Sequence, residues 1–378
     1  MALSINLTLL IGQNTPRPAP NWLVEAINTI EIMQSVAGRS VFQISFAVGR
    51  SSNDQGNEQL LSSKLIDAFN RVIVSVTINA MPKVLMDGII TRQEFSPSNE
   101  PGESLLTITG EDVSVMMDLE EKSIEHPGLA EQDIVNQIIS SYSKYGLVPQ
   151  VINPPVTDRP TTNERTPVQQ GTDLEYIKYL AERYAYLFYI IPGPTSGKNT
   201  AYWGPPQLNA APQRALTVNM GSYTNVDTIN LQMNALAPAS VTGSVQDRKT
   251  NQIQPTQANN STRLNLSAQP ALQNQSAIRK TQFRETGRLQ LQAGSRAQAM
   301  LNRSVDQVIT VNGEVDTLRY GDILNFGKVV ELRGVGYSYD GRYYINSVTH
   351  IFGGGEYKQR FSLSREGLGT TIMRVGTV

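Results

Sequence analysis

The chain of 378 residues has no cysteine, and only two histidines and two tryptophans. Without cysteine there are no disulfides, thiolate metal sites, iron–sulfur clusters or thiol nucleophiles. His126 and His350 lie far apart in sequence and leave little material for imidazole chemistry. Charge is also scarce: 17% of residues are charged, against about 25% in an ordinary globular chain. Asn, Gln, Ser and Thr take up the difference, so the expected surface is amide-rich and weakly charged. Basic and acidic residues nearly balance, 32 against 33, for a net charge of -1. That balance gives no electrostatic reason to expect nucleic acid or an anionic membrane as the main ligand. The most apolar run, Tyr186 to Ile191, is far short of the roughly 20 residues that span a bilayer. The N-terminal MALSINLTLLIG lacks a basic start and a small-residue cleavage site, so the expectation is no signal peptide, no membrane insertion and synthesis in the cytoplasm.

Apolar residues alternate over much of the first third. Ile5, Leu7, Leu9 and Ile11 do so, as do Phe42, Ile44, Phe46 and Val48, and then Val72, Val74, Val76 and Ile78. Val24 to Ile32, Val84 to Phe95 and Leu105 to Thr109 complete a set of about six half-buried strands. Gly38, Ser51 to Gly56, Met81-Pro82 and Pro97 to Gly102 punctuate them. Such a set predicts a closed barrel or small sandwich.

After Gly110 the pattern changes. Glu111 to Leu119 reads as a short helical turn, and Ile134, Val135, Ile138, Ile139 and Tyr142 form one stripe of a helix that Gly146 ends. Thr172-Asp173-Leu174-Glu175 is a capping box, in which the Thr hydroxyl and Glu carboxylate each satisfy an end amide. Ile177, Leu180, Ala181 and Tyr184 are the buried face of the helix behind it, and Tyr186 to Ile191 is strand-like. Pro192 to Pro212 reads as loop.

A second β region begins near Ala215. Between Tyr223 and Phe283 there is no aromatic residue, and the polar segment Gln254 to Ser276 reads as a flexible or extended connection. Arg288 to Arg303 has helical composition. Val308 to Val311, Ile323 to Phe326, Val329 to Leu332, Tyr343 to Val348 and Gln359 to Leu363 read as strands. Asn312-Gly313 and Asp340-Gly341 give hairpin signals, and Gly321-Asp322 and Gly353 to Gly355 further punctuation. The overall expectation is a mainly β, α+β chain: a first tube-type antiparallel barrel over 1–118, an inserted helix-containing module over 119–205, and a second barrel over 206–378. The last carries the polar segment 254–276 and the helix 288–303.

The chemical near-matches are weak. Gly193-Pro194-Thr195-Ser196-Gly197-Lys198-Asn199-Thr200 has three residues between its glycines where a phosphate loop needs four, and Asn199 follows Lys198 where Ser or Thr is needed. A hairpin or loop accounts for it better. Gly336-Tyr337-Ser338-Tyr339-Asp340-Gly341 carries its second glycine one position late for a nucleophile elbow. His350 and His126 read as hydrogen-bonded structural residues, and the neighbouring acids Glu111-Asp112 and Glu120-Glu121 have side chains that diverge. No catalytic, cofactor-binding or metal-ligating residues are assigned. A carboxylate-dependent cell-wall hydrolase stays open, because acid/base pairs come from separate elements that one sequence cannot pair.

Three stretches resemble one family. The first is Leu85-Met86-Asp87-Gly88-Ile89-Ile90-Thr91 followed by Gly110-Glu111-Asp112. The second joins Asp133 to Ile139, Tyr145-Gly146-Leu147 and Thr172 to Arg183. The third is Leu318 to Leu324, with Gly321-Asp322, then Gly341 to His350 and Phe361-Ser362-Leu363-Ser364-Arg365. In their order they resemble the baseplate-hub proteins of contractile phage tails and injection systems, including late-control protein D and the N-terminal hub of VgrG spike proteins. The resemblance implies a structural protein of the virion or injection particle and no enzyme. It further implies a homotrimer whose two barrels per protomer join a hexameric inner tube to a trimeric spike. The partners implied are inner tube protein, a separate spike protein and other baseplate components. A tail-associated glycan- or peptidoglycan-binding module is the alternative.

Overall fold

The computed structural model describes residues 5–13, 15–49, 60, 62–78, 80–100 and 103–372. The turn expected at Ser51 to Gly56 lies outside the described residues, as do Pro101 and Gly102 of the punctuation at Pro97 to Gly102. The chain is mainly β. Its first part contains β1 (Ile5–Gly12), β2 (Arg17–Pro18), α1 (Asn21–Glu25), β3 (Ile27–Ser35), β4 (Val41–Val48), β5 (Arg71–Ile78), β6 (Met81–Ser96) and β7 (Ser104–Asp112). The alternating segments from Ile5, Phe42 and Val72 became β1, β4 and β5, whereas the strand expected from Val24 starts only at Ile27, Val24 itself lying in α1. In β4, Phe42, Ile44 and Phe46 are fully buried while Gln43 faces solvent.

The middle part contains β8 (Glu121–Glu125), α2 (Glu131–Ser141), β9 (Leu147–Val151), β10 (Val168–Thr172), α3 (Asp173–Glu182), β11 (Leu187–Pro192) and β12 (Asn199–Gly204). A short 3-10 turn over Val113–Met117 leads into it. Gly146, in the left-handed conformation at φ 77°, terminates the turn behind α2, and Thr172 and Glu175 complete the capping box of α3. Strand β12 corrects the expectation of loop throughout 192–212. It pairs antiparallel with β11 and parallel with β9, burying Ala201, Tyr202 and Trp203. Flanking Pro and Gly concealed it.

The last part contains β13 (Gln213–Thr217), β14 (Val226–Met233), β15 (Ala239–Gln246), β16 (Ile253–Ala258), β17 (Gln269–Pro270), α4 (Ala271–Asn274), β18 (Arg279–Phe283), α5 (Gln290–Val305), β19 (Ile309–Asp316), α6 (Thr317–Tyr320), β20 (Val329–Arg333), β21 (Gly341–Gly353), β22 (Glu356–Arg365) and β23 (Gly367–Leu368). The polar segment 254–276 is not a loose connection. Strand β16 pairs with β15, which also pairs with β18, and α5 packs on this small sheet through Ala293, Ala297 and Leu301 against Val241, Val245 and Phe283. Beyond it, the Glu366 carboxylate accepts from the Leu266 and Ser267 amides and the Ser267 hydroxyl. Polar composition concealed an order supplied by backbone pairing and one buried acid.

Two further readings are corrected. Ile323 to Phe326 is not a strand, although Ile323, Leu324 and Phe326 are buried; the Leu324 amide donates to the Gln359 side chain, not to a neighbouring strand. Asn312-Gly313 is not a hairpin but the middle of β19, paired with β14 on one side and β22 on the other. Gly313 is there because a Cβ would come within 2.5 Å of both the Phe361 ring and the Thr228 carbonyl oxygen.

Among the described residues thirteen strands form one sheet, in the order β14, β19, β22, β21, β3, β4, β7, β6, β5, β1, β2, with β20 and β13 branching from β21. Among the described residues the strands are not closed into the barrels expected from the sequence. Instead the last part joins the first directly, because β21 pairs with β3 over Ser347 to Gly353. One apolar cluster lies under the first part, around Phe42, Ile30, Val74 and Ile108. A second lies under the last part, around Val311, Tyr343, Phe361 and Leu363. Ile323 and Tyr357 reach across into the first cluster, and Val36 into the second. The middle part has its own core around Ile134, Ile177 and Trp203.

Candidate functional surface

The outer face of the large sheet is an ordered feature that the cores do not consume. Strand register places Asn230 opposite Asn312, then Ser362, Ser347 and Ser35 across five strands. The next row runs Thr228, Glu314, Arg360, Thr349, Met33, Val41, Glu111. A third runs Asp316, Lys358, Ile351, Glu31, Gln43, Thr109, Arg92, and a fourth Glu356, Gly353, Thr29, Ser45, Thr107, Glu94. Residues two apart on a strand share a face, so these rows form one surface crossing the junction between the two β parts.

Its charges are largely matched on the spot. Arg360 Nε lies 2.8 Å from Glu314, Lys358 3.2 Å from Glu356, Arg92 2.8 Å from Glu94, and Arg39 2.5 Å from Glu111. The Thr29 and Ser45 hydroxyls hydrogen-bond across the strands at 2.6 Å. The result is a polar wall of charged, hydroxyl and amide groups on which acids outnumber bases, holding an open depression of about 470 Å³ around Asn230, Asn312, Thr349 and Arg360. The apolar phase of these strands is plain in the sequence, whereas the opposite phase mixes Asn, Ser and Thr with charged residues and is easily passed over.

Beneath this surface, at the junction of β21 and β3, His350 is fully buried. Its Nε2 is 3.1 Å from Gln34 Oε1 and its Nδ1 is 2.9 Å from the Tyr357 hydroxyl, while Gln34 Nε2 donates to the Leu85 carbonyl at 2.7 Å. Burial, with a smaller contribution from Lys83, lowers the imidazole pKa to about 3, so the ring is neutral. Both of its ring nitrogens are hydrogen-bonded, as its sequence context suggested. His126 is also buried and stacks on Tyr176 at 5.9 Å.

The remaining sequence candidates do not converge. Gly193 to Thr200 is the hairpin between β11 and β12. Gly336 to Gly341 connects β20 to β21. Asp112 accepts from the Ser40 and Ser114 amides at 2.6 and 3.0 Å, and its burial outweighs these bonds to raise its pKa. Glu111 turns to the other face, toward Arg39, and Glu121 begins β8. A cleft of about 460 Å³ lies between the middle and last parts. Of the charged residues that line it, Arg263 and Asp306 are bonded to each other at 3.0 and 3.1 Å, and Arg263 also donates to the Ala185 carbonyl. Among the described residues no group of three or more His, Asp or Glu side chains is placed to hold a metal, and no helix is long and apolar enough to cross a membrane.

The fold is that of phage tail proteins and their secretion-system counterparts. The tail protein of Neisseria meningitidis MC58 superposes with a TM-score of 0.66 at 12% identity, covering 97% of this chain and 98% of that one. The 43 kDa tail protein of prophage MuSo2 from Shewanella oneidensis gives 0.61 at 12% identity, over 96% and 99%. A chain of the Francisella PdpA-VgrG complex gives 0.59 at 8% identity, covering all of this chain and 55% of its own. At these identities the likeness is one of fold. By sequence, the family described as Alg8 N-terminal domain matches residues 27–353, and the chain belongs to that family. No curated protein matches it.

Proposed function

We propose that the chain is a structural hub of a contractile tail or injection machine: a homotrimer that adapts a hexameric inner tube to a trimeric spike. The observation that supports this most is the single sheet spanning both β parts, apolar on one face and polar on the other. In this reading 1–118 and 206–378 each supply one tube-type β unit and 119–205 an inserted module, so three copies present six similar arcs of wall. The sheet does not close on itself within one chain; neighbouring copies complete the ring. The likeness to tail proteins over nearly their whole length adds support. Work is done by mating surfaces and not by turnover, and no residue is given a catalytic role. Phage tail and host-encoded injection particle are both consistent with it.

The test is electron microscopy of the assembled particle together with analytical ultracentrifugation of the purified chain. Three copies on the particle axis, between tube and spike, are expected; six copies, or a position off the axis, would sink the reading. Zymography on cell-wall substrate should show no clearing, and purified wall should not retain the folded protein.

A further inference from the structure

We propose that Arg183, Arg288 and Arg296 form a binding site for an oxyanion, a phosphate or carboxylate group, at the seam between α3 and α5. Arg183 follows α3, Arg288 precedes α5 and Arg296 lies within it. Two acids serve these three guanidiniums. Glu131, in the first turn of α2, pairs with Arg183. Glu285 is shared, its Oε2 lying 3.3 Å from Nε of both Arg288 and Arg296.

The cluster therefore carries one positive charge more than its acids supply, in a place where that is costly. The side chains of Arg183 and Arg296 are only 9% and 13% exposed. Arg183 Nε is buried without a hydrogen-bond partner. The nearby Asp247 keeps its charge but makes no ion pair with these arginines, accepting instead from the amides of Lys249, Thr250 and Gln290. Half-exposed Tyr179 opens the seam to solvent; its hydroxyl accepts from Arg183 at 2.7 Å and the guanidinium sits 4.4 Å from its ring centre. Burial would raise the Tyr179 pKa, but the Arg183 bond and the fields of Arg183, Arg288 and Arg296 together bring it below the ordinary phenol value. Burial and repulsion by Arg183 and Arg288 likewise lower the pKa of Arg296. Forked donors around an excess of positive charge suit an oxyanion, which could be held by more than one guanidinium.

The experiment uses the full chain with inorganic phosphate and acetate, each compared with sodium chloride of equal ionic strength. Saturable thermal stabilisation is expected, with affinity reduced roughly tenfold or more in Arg288→Gln. In the wild type, phosphate should move the tyrosinate titration attributed to Tyr179, read as the absorbance difference from Tyr179→Phe, toward higher pH. A response to phosphate alone marks a phosphate site; a response to both marks one that also takes carboxylates. Stabilisation no greater than that of chloride, an undiminished response in Arg288→Gln, or an unmoved Tyr179 titration would each overturn the site. The last readout needs no arginine variant, so it holds even if Arg288→Gln fails to fold.

Discussion

Two glycine and phenylalanine pairs show how strongly single positions are constrained. Phe42 stands opposite Gly110, and Phe361 opposite Gly313. A Cβ on Gly110 would come within 2.4 Å of the Phe42 ring and 2.2 Å of the Ile89 carbonyl oxygen, so the aromatic face occupies the space that a side chain would take. Gly110→Ala and Gly313→Ala should each cost about 2 to 4 kcal/mol, since backbone is among the obstructing atoms. Urea unfolding should show the loss; an effect below about 0.5 kcal/mol would mean that the strands shift freely. His350 sets a pH dependence. Its folded pKa of about 3 lies below the ordinary 6.5, so as pH falls through 6.5 the unfolded chain takes up a proton that the folded chain does not. The His350 contribution is fully present above pH 6.5 and declines by up to about 1.4 kcal/mol per pH unit toward pH 3. Asp112 and Asp306, whose pKa values burial raises, act in the opposite sense, so the effect is to be read as the difference between wild type and His350→Gln. Parallel stability curves for the two proteins over that range would refute it.

At the level of elements, local chemistry was legible and long-range pairing was not. The Thr172 capping box, the Gly146 stop and the alternating strands were readable because each depends on residues within a few positions. Thr172→Ala should destabilise by about 1 to 2 kcal/mol, because the hydroxyl caps α3 and also donates to Asp118 at 2.7 Å. Strand β12 and the sheet of β15, β16 and β18 were missed because their partners lie far away in sequence and the local composition says loop. Asn312-Gly313 misled for the same reason: turn chemistry is local, whereas its two strand partners are not. Asp87 shows what fastens the middle part. It is fully buried and accepts from Arg71 Nε and NH2 at 2.6 and 2.7 Å and from Asn199 Nδ2 at 2.9 Å, while Arg71 also donates to the Tyr145 carbonyl. Asp87→Ala leaves a largely buried guanidinium unpaired and should cost about 3 to 5 kcal/mol. Calorimetry should then show the transition lowered or split, and an unchanged transition would rule out this network as the fastening.

For the molecule as a whole, the mainly β class and the helices were readable from the residues, and the resemblance pointed to the fold of tail proteins. The sequence could not supply the pairing of β3 with β21, since register between strands some three hundred residues apart leaves no local trace. Nor did it reveal the polar face, which becomes visible only when eight strands are placed side by side. Charge reversal there, as in Arg360→Glu, should leave the isolated chain folded, because an exposed pair contributes at most about 1 kcal/mol. In the proposed trimer it should instead weaken assembly, read by sedimentation; a variant that assembles like wild type would remove that face from the interfaces.

The junction of β3 and β21 also bears on synthesis. Strand β3 leaves the ribosome long before Ser347 to Gly353 exist, and at roughly 10 residues per second the interval is on the order of half a minute. Throughout it the β3 edge facing away from β4 has no partner, while its backbone groups are free to pair with another nascent chain. Slowing translation near the 3′ end of the message should therefore raise aggregation of this chain more than slowing it near the start.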